Sequence, residues 1–344
     1  MTPYTPPLTD MRFTLNDVIG LESLTRLPGF DAMEASLSDQ ILEEAGKFSS
    51  NVLAPLNFEG DRKGAKIENG VVRPADGFGE AYNQWASAGW NSVPFDQVHG
   101  GQGLPWTLTT AIWEMWESSN MAFSLCPLLT QAAIDALDRH GSEEQKSTYL
   151  EKLVSGEWTG TMNLTEPQSG TDLGAIRTSS IRDGDRYLIK GQKIYITWGD
   201  HELSQNVVHL VLARIEGAPD GNHGISLFIV PKYLVNDDGS LGKRNDLRAV
   251  GLEHKLGIHA SPTCTMAFGD NEGAIGYLVG EENRGLSYMF AMMNNARLAV
   301  GHQGVAISER AYQRALAYAS QRVQGRAVGQ SAGTTIINHP DVKR

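Results

Sequence analysis

The first part of the chain has the hydrophobic spacing of α-helices. Apolar side chains recur at steps of four and three, on one face of a predicted amphipathic helix, at Leu37, Ile41, Ala45, Phe48 and Val52. Asp31 followed by Glu34 can form a capping box just before this helix. Residues 107–137 are rich in apolar side chains, with no alternation and few helix breakers, so they are predicted to form a buried helix.

From about Trp158 the pattern changes to short β-branched runs separated by Gly, Asp and Asn. One such run extends from Ile225 to Val230, and Asp183 with Gly184 is a typical hairpin turn. The pattern predicts a compact antiparallel β domain, either barrel-like or a sandwich.

Beyond Gly285 the helical period returns, with two predicted faces. The first contains Met289, Met293, Ala296 and Val300, and the second contains Ile307, Ala311, Ala315 and Tyr318. Pro340 suits the first turn of another helix. The sequence thus predicts an α+β chain with a helical domain (1–157), a middle β domain (158–282) and an incomplete helical domain (283–344).

Composition excludes several classes of protein. The 344 residues are 41% apolar and 20% charged with a net charge of −11, as in ordinary globular proteins and unlike nucleic-acid-binding ones. Cys126 and Cys264 are far apart, which suggests neither a disulfide framework nor a metal site and favours the cytoplasm. No signal peptide or membrane span is predicted. A loosely ordered N-terminal arm and a docked one both remain possible.

Two motifs stand one hairpin apart in the predicted β domain. Residues 162–172 read MNLTEPQSGTD, and residues 191–199 read GQKIYITWG. This pair resembles the signature of the acyl-CoA dehydrogenase family, usually LTEPxAGSD followed by GxKxWITNG. Residues 255–261, 280–285, 296–297 and 322–326 agree with further family segments. The resemblance implies an N-terminal helical domain, a middle β-barrel domain and the start of a C-terminal four-helix bundle.

The resemblance also implies an FAD site in these motifs. The backbone around Met162 and Leu164 and the hydroxyl of Thr165 would contact the flavin, Tyr195 would lie against its ring, and Thr197 would point at N5. A flavin edge presents acceptors and an N–H, which backbone amides and hydroxyls of such a loop can pair. Tyr195 stands where Trp is more common, and Trp198, which has no assigned role, stands where Asn is usual. We expect Glu166 to be a turn carboxylate that binds local backbone amides.

The acyl-CoA contacts implied by the resemblance fall on two segments. Gly170 and Thr171, the latter in place of the usual Ser, would lie near the acyl-CoA chain. Asn294 and Arg297 would contact the CoA moiety.

A further contact implied by the resemblance crosses between subunits. Arg322 and Gln324 would reach the FAD pyrophosphate of a neighbouring subunit, as expected in a homodimer or homotetramer. Gly325 stands where many relatives have Phe.

The family reaction removes an α proton and a β hydride from a CoA thioester, giving a trans-2-enoyl-CoA and passing electrons to electron-transferring flavoprotein. It needs a carboxylate base. Relatives that place the base on the long helix have it at the position of Ala296, so we expect the base beyond Arg344 and assign no catalytic residue to this chain.

The substrate and two alternative functions remain open. The segment 292–298 is similar to a larger bacterial branch of the family that acts on 3-methylmercaptopropionyl-CoA or fatty acyl-CoAs. An acyl-CoA oxidase that uses oxygen and a non-catalytic fragment that binds flavin or a partner subunit remain alternatives.

Overall fold

The computed structural model describes residues 3–30, 35–329 and 331–344. The predicted capping box of Asp31 and Glu34 lies outside these residues. The helices before the β domain are α1 (Leu8–Phe13), α2 (Ala35–Phe48), α3 (Ala54–Lys63), α4 (Phe78–Ser87), α5 (Trp106–His140) and α6 (Glu143–Val154). A two-stranded hairpin, β1 (Lys66–Glu68) and β2 (Val71–Arg73), separates α3 from α4.

The predicted helix around residue 41 is present as α2, but only part of its predicted face is buried. Leu42 and Ala45 are buried, whereas Leu37 is 38% exposed and Ile41 is half-buried. The other members of the predicted face line a surface groove of about 680 Å³ between α2 and α4, namely Leu37, Ile41, Phe48 and Val52. Spacing identified the helix correctly, while the position of its neighbours decided which side is covered.

The buried helix predicted for residues 107–137 is α5, which changes direction at Asn120. Asn120 has φ −155° and ψ 85°, outside the helical region. Its side-chain oxygen accepts a hydrogen bond from the Phe123 backbone N–H at 3.1 Å, so it caps the second half of the helix. Its amide nitrogen donates to the Leu53 carbonyl at 3.1 Å, which fixes the bend against the turn before α3.

The β domain contains ten strands: β3 (Trp158–Asn163), β4 (Ser179–Asp183), β5 (Arg186–Thr197), β6 (Asn206–Ile215), β7 (Ile225–Pro231), β8 (Tyr233–Val235), β9 (Leu241–Arg244), β10 (Leu247–Leu252), β11 (Thr263–Phe268) and β12 (Ala274–Leu278). Each of β5, β12, β7, β6 and β4 pairs with the next, and β4 pairs with β5 again, which closes a five-stranded ring. The predicted barrel is therefore confirmed. β3, β10 and β11 extend the sheet, and β8 pairs with β9.

The prediction of a purely antiparallel domain was wrong. β6 runs parallel to both β3 and β4, although it is antiparallel to β7. Side chains of β6 alternate between two cores, since Leu210 and Leu212 face the helices while Val211 and Ala213 fill the barrel. A strand buried on both faces lacks the polar alternation that marks an antiparallel strand with one solvated face.

After the barrel, the chain forms one long helix, α7 (Gly285–Gln321), and a final turn of helix, α8 (Pro340–Lys343). Met289, Met292 and Ala296 are buried on α7, which contacts α5 and β7. The second predicted face is not buried in this chain, because Ile307 is 50% exposed and Tyr318 is 61% exposed.

The N-terminal arm is docked from Pro3 onward, which settles one alternative left open by the sequence. The Thr5 backbone and the Gln313 side chain of α7 exchange two hydrogen bonds, at 3.1 and 2.7 Å. Within the described ranges, no helix combines the length and the hydropathy needed to cross a membrane. The predicted domain boundaries after residues 157 and 282 stay predictions.

Candidate active site

The two sequence motifs meet where β3 ends and β5 runs beside it. The Ile194 backbone N–H donates to the Thr165 carbonyl at 2.9 Å, joining the turn after β3 to the middle of β5. Met162 and Thr165 are half-buried and Leu164 is buried. The structure therefore places these three predicted residues next to the β5 segment that contains Tyr195 and Thr197.

A buried ion pair between Glu166 and Lys193 fastens this junction. The Lys193 Nζ donates to the Glu166 Oε1 at 2.8 Å and to the Leu164 carbonyl at 2.9 Å. The Glu166 side chain is 3% exposed and the Lys193 side chain is 0% exposed. Glu166 also accepts hydrogen bonds from the backbone amides of Arg177 at 2.6 Å and Thr178 at 3.0 Å. Glu166 thus binds backbone amides as expected, but these amides lie 11 and 12 residues along the chain and not in its own turn. Its partner Lys193 had no role in the sequence interpretation.

The charge of this pair follows from its surroundings. Burial alone would raise the pKa of Glu166, but the Lys193 charge and the hydrogen bonds from Lys193, Thr178 and Arg177 lower it to about 2. Glu166 is therefore ionised at neutral pH. A carboxylate held this way is suited to fixing the turn and unsuited to taking a proton from a substrate.

Tyr195 reaches the surface because β5 contains a bulge. The pairing of β5 with β11 shifts register between Cys264 and Met266, opposite Ile194 and Tyr195. Tyr195 has φ +60°, a left-handed conformation that is uncommon for an aromatic residue, and it is 59% exposed. A bulge redirects a side chain at the expense of local strain, and such strain is frequent at functional sites. Thr197, two residues on, is half-buried opposite Thr263.

Trp198, which had no assigned role, joins the β domain to the helices. It is fully buried and its indole Nε1–H donates to the Ala122 carbonyl of α5 at 3.1 Å. Its ring stacks on Phe78 of α4, with centroids 6.4 Å apart and planes at 23°. Trp198 therefore fixes the end of β5 against two helices, directly after Thr197. Its partners lie far away in sequence, so no local pattern could have revealed them.

Gly170 and Thr171 lie in the exposed loop after the first motif. A Cβ built on Gly170 would meet no atom within 4 Å, so the space beside it is open. The Ser169 hydroxyl donates to the Asp172 carbonyl at 2.6 Å and holds the loop shape around both residues. The loop therefore leaves open space beside Gly170 and an exposed Thr171 next to it.

Asn294 and Arg297 line a separate cavity of about 780 Å³ between α5 and α7, and no residue of the two motifs lines it. The Arg297 guanidinium donates to the Asn294 side-chain oxygen at 2.8 Å, and both residues are exposed. The neighbouring Ala296 is 7% exposed and offers no carboxylate.

Arg322 and Gln324 lie apart from the other predicted residues. They follow the C-terminal end of α7, about 38 Å along the helix from Arg297 at 1.5 Å per residue. Both side chains are exposed, and the Gln324 carbonyl accepts a hydrogen bond from His339 at 2.7 Å. The structure does not bring them to the site formed by the two motifs within one chain.

Comparison with known proteins defines the class to which this fold and site belong. Residues 38–157 match the family model of the acyl-CoA dehydrogenase N-terminal domain, and residues 161–271 match that of the acyl-CoA dehydrogenase middle domain. The chain belongs to the acyl-CoA dehydrogenase family. Its predicted fold class is confirmed by this match.

Individual members of the family are similar to this chain over nearly all of its length. Over 344 residues, the chain is 49% identical to 3-methylmercaptopropionyl-CoA dehydrogenase of Ruegeria pomeroyi, covering 99% of this chain and 58% of the relative. It is 36% identical to a butyryl-CoA dehydrogenase of Syntrophomonas wolfei over 99% of this chain and 58% of the relative. The chain thus spans a little over half the length of these relatives.

Solved structures give the same fold. Butyryl-CoA dehydrogenase of Megasphaera elsdenii has a TM-score of 0.71 and 24% identity, covering 89% of this chain and 73% of the other. A chain from the structure of the electron transferring flavoprotein of Acidaminococcus fermentans has a TM-score of 0.71 and 25% identity, covering 89% of this chain and 72% of the other.

Proposed function

We propose that this chain is the FAD- and acyl-CoA-binding part of an acyl-CoA dehydrogenase that oxidises a thioester to a trans-2-enoyl-CoA. One observation carries the proposal. The Glu166–Lys193 pair fixes the turn after β3 to β5, so that Thr165 lies beside the β5 segment of Tyr195 and Thr197, and we take this junction as the flavin-binding surface.

The residues of this surface fit a flavin. Thr165 and Thr197 supply hydroxyl groups in a half-buried position, and Tyr195 supplies an exposed ring on a strained bulge. Flat heteroaromatic ligands need an aromatic face for stacking and a few fixed polar groups for orientation. When bound, FAD would supply hydride acceptance at N5. The chain's own residues would bind and orient it: Tyr195 against the ring, Thr197 toward N5, and Met162, Leu164 and Thr165 along its edge.

The thioester would lie between this surface and the cavity of Asn294 and Arg297. Arg297 is a fixed positive charge, suited to the phosphate groups of CoA. Gly170 and Thr171, in the loop beside the motif, are proposed to contact the acyl-CoA. No residue of this chain is proposed as the base, because Ala296 occupies the position on α7 where some relatives carry the carboxylate. We propose that the base lies beyond Arg344.

We also propose the substrate of the protein, its partners and its location in the cell. The relative in Ruegeria pomeroyi supports 3-methylmercaptopropionyl-CoA, and the one in Syntrophomonas wolfei supports a short fatty acyl-CoA. Similarity to a chain from an electron transferring flavoprotein structure supports such a flavoprotein as the electron acceptor. We also propose a homodimer or homotetramer, in which Arg322 and Gln324 reach the FAD of a neighbour. The two free cysteines support a cytoplasmic location.

The test is an anaerobic titration of the full-length protein. The purified protein should carry a bound flavin, and 3-methylmercaptopropionyl-CoA or one of the butyryl- to palmitoyl-CoA series should bleach its visible spectrum. Arg297→Ala should weaken thioester binding about tenfold, as expected for loss of one charge-assisted contact. Arg284→Ala, an exposed arginine before the same helix, should not.

The outcomes separate the proposal from its alternatives. Rapid reoxidation of the bleached flavin by air would favour an oxidase over a dehydrogenase. A protein that binds flavin but is reduced by none of these thioesters would favour a non-catalytic role, and a colourless protein would contradict the flavin proposal.

A further inference from the structure

The cavity between α5 and α7 changes character from one end to the other. At its exposed end lie Arg139, Asn294 and Arg297, two of which are cationic. At its inner end lie Trp113, Glu117, Leu128 and Gln131, which are 7%, 1%, 3% and 2% exposed, respectively. Asp135 also lines the cavity and pairs with Arg139 at 2.7 Å, so the net positive charge of the exposed end comes from Arg297. The buried end is largely apolar and contains the Glu117 carboxyl group.

Glu117 is only partly satisfied at this inner end. Its Oε2 is 2.9 Å from the His302 Nδ1 of α7, while its Oε1 makes no hydrogen bond within the described part of the chain. Burial raises the pKa of Glu117, and the side chains of His302 and Gln303 partly offset this effect. A buried polar atom without a partner is destabilising, and a ligand that supplies the missing hydrogen bond gains affinity.

We propose that Glu117 is a specificity-determining residue, whose free oxygen selects acyl groups that carry a hydroxyl or another hydrogen-bonding heteroatom near the end of a short chain. The inference rests on the proposed function, since it places the CoA moiety at Arg297 and the acyl end at Glu117. A hydroxyl suits this position in either state of the carboxyl group, because it can donate to the carboxylate or accept from the carboxylic acid. A plain alkyl chain would bury Glu117 and leave its Oε1 unpaired.

A purely structural role for Glu117 predicts something different. The Glu117–His302 contact joins α5 to α7, as does the hydrogen bond from the Ser118 hydroxyl to the Ala306 carbonyl at 2.8 Å. If Glu117 only joined the helices, its substitution would lower stability and weaken all ligands equally. A selective role requires that the substitution change the ratio of affinities for two ligands of the same size.

The experiment measures that ratio with CoA thioethers that cannot be dehydrogenated. S-(4-hydroxybutyl)-CoA and S-pentyl-CoA have similar size and differ by a hydroxyl in place of a methyl group. Their dissociation constants are measured by calorimetry on the full-length, flavin-loaded protein, for the wild type, Glu117→Gln, Glu117→Leu and Glu114→Gln. Glu114 is the matched control, because it lies on the same helix 4.0 Å from His302 but does not line this cavity.

We expect the wild type to bind the hydroxyl ligand about tenfold more tightly, Glu117→Leu to lose or reverse this preference, and Glu114→Gln to keep it. Glu117→Gln preserves size and hydrogen bonding, so it should retain part of the preference and also shows whether the site folds. Equal loss of affinity for both ligands, or a wild type without preference, would overturn the inference. If none of the thioesters of the anaerobic titration bleaches the flavin, that result would instead count against the proposed function.

Discussion

Removal of the Lys193 ammonium tests whether the buried ion pair holds the flavin turn in place. Lys193→Met keeps most of the side-chain volume but removes the donor of the hydrogen bonds to Glu166 and to the Leu164 carbonyl. Loss of one partner of a buried ion pair costs about 3–5 kcal/mol of unfolding free energy. Glu166 would keep its donors at Arg177 and Thr178, so the lower value, about 3 kcal/mol, is expected.

The assay is urea unfolding at pH 7, followed by tryptophan fluorescence and circular dichroism, with flavin affinity measured on the folded variant. Lys190→Met is the control, because Lys190 is an exposed residue of the same strand and should change stability by less than about 0.5 kcal/mol. In the double variant with Glu166→Gln, the loss should be smaller than the sum of the single losses, because the two side chains interact directly. A Lys193→Met protein as stable as Lys190→Met would refute the reasoning.

Two other predictions follow from single contacts. Glu166 has a pKa of about 2 in the folded chain, against an ordinary value of 4.5. Its contribution to the unfolding free energy is therefore fully present above pH 4.5, and about 3 kcal/mol is lost as the pH falls through 2. The urea midpoints of the wild type and Glu166→Gln should converge over this pH range, and midpoints that stay equally far apart would contradict the assignment. Gly160→Ala would place a Cβ 2.5 Å from that of Ala133, lowering the unfolding free energy by about 1–3 kcal/mol. Adding Ala133→Gly should recover most of this loss in a urea titration, and adding Ala132→Gly should not.

The sequence was most informative where the chemistry is local. The hairpin turn at Asp183 and Gly184 is where the structure has it, between β4 and β5, because turn geometry depends on adjacent residues. The two motifs were predicted to form one site, and they are joined by the backbone hydrogen bond between Thr165 and Ile194 and by the hydrogen bonds of Lys193 to Glu166 and Leu164.

The features missed by the sequence depend on residues distant in the chain. Trp198 of the β domain packs on Phe78 of α4 and bonds to Ala122 of α5, two helices that come before the β domain in the chain. The bulge that exposes Tyr195 shows no signal in the alternation of β5, since the register shift arises from pairing with β11. The carboxyl group of Glu117 lies in a segment that reads as uniformly buried helix, and only packing against His302 distinguishes it from its neighbours.

The closed ring of strands has a consequence for how the protein is made. β5 emerges from the ribosome together with β4, but its other edge is completed by β12, at Ala274–Leu278, and by β11. Until these last strands have been synthesised, an apolar strand edge stays open to other chains. The yield of folded protein in the cell should therefore depend on chaperones that bind the nascent chain over this interval, before a bound cofactor could stabilise the folded domain.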